Sequence, residues 1–190
     1  HFFHGFVSSL DGRLDDAQRG GEAALRSAEL CGDPAIAANA LVLLADVAVR
    51  RGHAVKVVPV LTEALERLRS TGGSQSVPML SVRLAATLAA SGHLEDASAQ
   101  LESAAEDLQQ GGGQFDRLQL AEVRARVCLA LGEHDGATQA ALETQALARQ
   151  LENEAADAIA RISLGWVALR CDRLKEADQL AHAAVAASSA

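Results

Sequence analysis

The sequence predicts an all-α protein, a solenoid of five helical hairpins, and three observations carry that reading. The first is composition: of 190 residues 49% are hydrophobic but only 3% aromatic, with 3 Pro, 4 Phe and no Tyr. Chains dominated by Ala and Leu suit closely packed helices better than sheets. The second is a recurring hexapeptide. GHLEDA at 92–97 has near copies in GRLDDA at 12–17 and DRLKEA at 172–177, and its first residue marks a period of 40 through Gly12, Gly52, Gly92, Gly132 and Asp172. The third is a frame of small residues around that anchor. Gly5, Ala45, Ala85, Ala125 and Gly165 stand seven residues before it, Ala17, Val57, Ala97, Ala137 and Ala177 five after it, and Ala24, Ala64, Ala104, Thr144 and Ala184 twelve after it.

Small residues at fixed places on both sides of a glycine mean two helices that must approach closely, one ending at the turn and one starting beyond it. Each unit is thus a hairpin, and the five run over about 1–32, 33–73, 74–113, 114–152 and 153–190. Glycine just past a helix end takes the left-handed conformation that closes the last turn, and Asp172 is one of the few residues able to replace it. In units one, three and five the second helix opens with carboxylates, Asp15 and Asp16, Glu95 and Asp96, and Glu176, placed to meet the positive end of the helix dipole. That accounts for the acidic pair of the hexapeptide without catalysis.

Breaks between units fall at CGDP (31–34), TGGSQSVP (71–78) and GGGQ (111–114), with Asp33 an N-cap and Pro34 the first helical residue. Pro59 is the irregularity, expected to kink the second helix of unit two or delay its start. The chain opens on His1 inside helical sequence and stops at AASSA, which reads as a piece of a larger protein.

The frame Gly-x-apolar-x-x-Ala, with a second Ala seven residues on and a small residue seven before, is clearest in LGWVALRCDRLKEADQLAHAA at 164–184. It resembles the tetratricopeptide repeat over essentially the whole chain. HEAT-type repeats have a similar period, but the glycine-centred turn and paired small residues favour the tetratricopeptide kind. The period is longer than the usual one of about 34 residues, and the aromatic consensus places hold mostly Ala or Val. Long, alanine-rich arrays of this kind are similar to those of large bacterial signal-responsive regulators of the LuxR type, and 15 Arg against 2 Lys looks like a high-GC bacterial genome. The resemblance implies a right-handed superhelix and a sensor or protein-binding region, standing in such regulators beside ATPase and DNA-binding modules that have no counterpart here.

Several chemistries find no support. A net charge of −8 opposes direct contact with nucleic acid, which rests on Lys and Arg. No apolar run has the length of a membrane span, and a cytoplasmic location is expected. Cys31, Cys128 and Cys171, odd in number and without a C-x-x-C, are expected to be reduced and mostly buried. Neither GGGQ nor TGG is followed by the Lys-Ser/Thr of a phosphate loop. His53, His93 and His134 sit on successive hairpins and are not expected to share a metal. His1 and His4, i and i+3 at a fraying terminus, make no site. No nucleophile setting such as G-x-S-x-G occurs. No catalytic residue, cofactor or metal is expected.

The informative surface is geometric. In arrays of the family resembled here, first helices line the concave face, and residues thirteen, ten, six and two before each anchor lie opposite the small-residue stripe. These are Phe2, Phe6 and Leu10; Asn39, Val42, Asp46 and Arg50; Met79, Val82, Ala86 and Ala90, with Arg83 beside them; Gln119, Glu122, Arg126 and Ala130; and Ile159, Ile162, Trp166 and Arg170. Phe6, Asn39, Asp46, Arg50, Arg83, Glu122, Arg126, Trp166 and Arg170 are the candidates for holding a protein or peptide, or a small polar ligand such as a sugar. Two readings stay open for Asp46, Arg50, Glu122 and Arg126: ligand contacts, or salt pairs and solvated surface. Phe2, Phe3 and Phe6 have an alternative too, an uncovered end of a cut array through which the chain would self-associate without bearing on its function. Separately, the second function is a scaffold that holds protomers or partner proteins together, a homodimer among them.

Overall fold

A computed structural model describes residues 1–70 and 76–187, and within them every regular element is an α-helix. In order these are α1 (Phe2–Leu10), α2 (Leu14–Cys31), α3 (Pro34–Arg50), α4 (Ala54–Ser70), α5 (Val77–Ala90), α6 (Leu94–Gln110), α7 (Gln114–Leu131), α8 (His134–Gln150), α9 (Glu154–Arg170) and α10 (Leu174–Ala187). Most of the break expected at 71–78 and the last three residues lie outside the described residues.

The period seen in the sequence is a repeated backbone turn. Gly12, Gly52, Gly92 and Gly132 have φ between 73° and 86°, and Asp172 reaches 58°. The amide after each anchor donates to the carbonyl four before it: Arg13 to Ser8, His53 to Ala48, His93 to Leu88, Glu133 to Cys128 and Arg173 to Ala168, at 2.7–3.0 Å. Five first helices therefore end in the same closing motif, which satisfies carbonyls that would otherwise be orphaned. A second set of turns repeats it where the chain leaves a second helix. Gly32 (φ 66°) and Glu152 (φ 51°) are followed by Asp33 and Asn153, whose amides bond back to Ala28 and Ala148. Their side chains then cap the next helix. Asp33 accepts from the amides of Ala35 and Ile36, and Asn153 from that of Ala156.

Two compact units result, His1–Gln100 and Leu101–Ala190, the division falling inside α6. In the first, each of α1 to α4 packs on its successor, and α1 also touches α3, as α3 does α5. In the second, α7, α8, α9 and α10 pack in sequence and α7 also touches α9. The framing small residues make these approaches possible. Ala17, Ala45, Ala85, Ala97, Ala104, Ala125 and Ala137 are all essentially inaccessible to solvent. At Gly5 and Gly20 helices α1 and α2 come closest, since a Cβ on Gly20 would stand 2.6 Å from the Gly5 Cα. Leu61 and Leu80 fill the first unit, Leu101, Leu118 and Val127 the second.

Two expectations need correction. Helix α4 begins at Ala54 and runs through Pro59, so its start is not delayed. Pro59 and Val55, whose carbonyl loses an amide partner, are both exposed, where water can take up the loss. The cysteines are not mostly buried either: Cys31 and Cys171 are exposed, being the last residue of α2 and the one after α9, and only Cys128 is partly covered.

Candidate functional site

The candidate residues fall into two groups, one in each unit. In the first unit the adjacent helices α1, α3 and α5 carry Phe6, Asn39, Asp46, Arg50 and Arg83. Phe6 is exposed, its ring stacked on Phe2 at 6.2 Å, while Asn39 is half-buried. The charged members are turned toward each other. Arg83 on α5 pairs with Asp46 on α3, both largely shielded from solvent, though Arg83 Nε is left without an acceptor. Arg50 at the end of α3 donates to the Ser9 carbonyl at the end of α1, at 2.8 Å. These contacts tie one hairpin to the next. Val82, expected on the same open face, is buried on α5, which packs against both α3 and α4.

In the second unit, α7 carries a half-buried Glu122 and an exposed Arg126, paired at 3.4 Å one turn along the helix. Forty residues on, α9 carries Trp166, half-exposed, and Arg170, which has no ion pair or hydrogen bond among the described residues. The same face of α9 presents Ile159, Ile162 and Leu169 to solvent. Leu169 was not among the candidates, nor was Phe115, 56% exposed in the first turn of α7. Both lie on the 3.6-residue period of the predicted stripes, Phe115 seventeen residues before its anchor, so carrying the pattern one turn further back would have found it.

Elsewhere the chemistry is sparse. An open depression of 570 Å³ at the α1–α2 turn is lined by Arg13, Asp15, Asp16, Arg19 and Arg51. Its charges are already matched: Arg13 holds Asp11 at 2.9 Å and Asp16 at 3.2 Å, Arg19 also holds Asp16, and Arg51 holds Asp15. Such exposed pairs neutralise one another and leave no cation for a ligand. Cys171 Sγ lies 3.7 Å from His134 Nδ1. Thiol and imidazole are the first two parts of a nucleophilic site, but no third group orients the ring among the described residues. Burial, followed by a hydrogen bond with Glu133, pushes the Cys128 thiol upward. No group of three His, Cys, Asp or Glu side chains among the described residues is arranged to hold a metal ion. No described helix is long and apolar enough to cross a membrane.

No protein-family model matches the chain, and no curated protein matches it either.

Proposed function

We propose that the ten helices form a right-handed, tetratricopeptide-like array of five hairpins, and that this array is non-catalytic and binds a protein or peptide partner. The observation that carries the reading is the face of α9, where Ile159, Ile162, Trp166 and Leu169 stand in solvent at helical spacing. A half-exposed tryptophan among aliphatic side chains is the composition of an interface centre rather than of a solvated face. An extended apolar stripe favours a polypeptide over a sugar, which needs convergent polar groups in a concavity. The long alanine-rich repeat further supports a place in a cytoplasmic bacterial signal-responsive regulator of the LuxR type, where such a region would report partner binding to neighbouring modules. Binding would do so only by favouring one of two states over the other.

The apolar face of α1 favours a second reading, a scaffold that assembles through a homodimer. Phe3 is 80% exposed and Leu10 66%, and α1 contains no Asp, Glu, Lys or Arg to oppose a second copy. Size exclusion with light scattering over a wide concentration range separates the readings. Partner binding expects a monomer throughout. A dimer that persists on dilution and dissociates in Phe3→Ser/Leu10→Ser would establish the scaffold instead.

A further inference from the structure

We infer that the exposed face of α9, with the solvent face of α7 beside it, docks an acidic amphipathic helix of a protein partner; this rests on the partner-binding reading and names the class of partner. Ile159, Ile162, Trp166 and Leu169 follow one another at steps of three, four and three residues, and expose 36%, 48%, 52% and 46% of their surface. They form one continuous stripe about 15 Å long. Helices that lie in grooves present their own anchors at the same spacing, so a partner helix of some three turns matches the stripe side chain for side chain.

Charge selects the kind of helix. The second unit holds 8 Lys and Arg against 14 Asp and Glu, a net of −6, yet the docking face is edged by guanidinium groups. Arg170 ends the stripe without a partner, and Arg126 occupies on α7 the place that Trp166 occupies on α9, 55% exposed and held only by the one-turn pair with Glu122. Guanidinium forks beside an apolar stripe favour carboxylates flanking an apolar ridge. The acidic remainder of the unit repels such a segment everywhere else, which directs it to this face.

The test uses two synthetic peptides of about 14 residues, long enough to span the stripe. Both carry Leu at i, i+3, i+7 and i+10 on an alanine background; one has Glu on the flanks, the other Lys. Each is labelled and titrated into the 190-residue chain, following peptide anisotropy and the fluorescence of Trp166, the one tryptophan. The Glu peptide is expected to bind at micromolar concentration and the Lys peptide at least tenfold more weakly. Trp166→Ala, and separately Arg126→Glu/Arg170→Glu, should each weaken the Glu peptide tenfold or more with the helical circular dichroism unchanged. Equal binding of both peptides, binding of neither, or binding indifferent to these variants overturns the inference. Glu-peptide binding that survives the Trp166 and Arg126/Arg170 variants but is lost in Phe6→Ser moves the site to α1 and leaves the broader reading standing. No binding together with a stable dimer sinks both.

Discussion

The α3–α5 face of the first unit and the α9 face of the second occupy the same places in their hairpins, yet they have opposite fates. On α3 the stripe carries charge that is consumed internally, Asp46 by Arg83 of α5 and Arg50 by the Ser9 carbonyl. On α9 it is apolar, and its one charge is left over. A partly buried carboxylate and guanidinium lose hydration when the helices pack and have to find each other, whereas a stripe with no neighbour over it has nothing to satisfy. Identical position in a repeat therefore fixes where a side chain points, and the residues opposite decide whether it binds or braces.

The largest expected effect follows from that difference. Asp46→Ala strands the Arg83 guanidinium, whose Nε already lacks an acceptor, and should lower unfolding free energy by about 1–3 kcal/mol. Arg170→Ala removes a side chain with no partner and should stay within about 0.5 kcal/mol. Urea unfolding of both, with Arg83→Met to complete a double-mutant cycle, measures the contrast. Equal costs would mean that the α3–α5 pair does not brace the fold, and would return that face to the candidates for binding.

The same contrast shows how much was legible in advance. The five turns could be read from the sequence because each depends on one local requirement, a residue tolerant of positive φ at every fortieth position, and all five carry it. The small-residue stripe was legible for a similar reason, since close approach admits only small side chains. Which stripe residues pair could not be read, because the Asp46–Arg83 contact joins residues 37 apart on α3 and α5 and depends on rotamers. Val82 was misplaced on the same ground: helical period gives a direction, and burial depends on what stands there. The turns after α2 and α8 were half legible. Asp33 announced its cap, but positive φ at Glu152, 120 residues after Gly32, is unmarked by residue type.

Those turns supply the next effects in size. Asp33 satisfies two amides and Asn153 one, so Asp33→Ala should cost about 1–2 kcal/mol and Asn153→Ala nearer 0.5–1 kcal/mol. At the anchors, Gly52→Ala forces a Cβ into the left-handed region and should cost about 1 kcal/mol. Asp172→Gly relieves that strain and should be neutral or slightly stabilising. Thermal unfolding orders the four variants. A loss on Asp172→Gly comparable to that on Gly52→Ala would show that the Asp172 side chain itself supports the last hairpin.

The smallest effect sets the two units against each other through their thiols. Cys31 ends α2 in solvent, while Cys128 is partly covered and hydrogen-bonded with Glu133, both of which hold its proton on to higher pH. Only the thiolate is alkylated, so iodoacetamide should modify Cys31 well before Cys128, and the Cys128 rate should begin its rise at higher pH. The linkage has a definite sign. A native thiol that keeps its proton when the unfolded one has lost it binds more protons, so this group's contribution to stability falls as pH rises through that range. Mass spectrometry of the alkylated chain reads the order directly. Alkylation of Cys128 as fast as Cys31 would mean that the α7–α8 turn opens freely, and with it the end of the helix that carries Arg126.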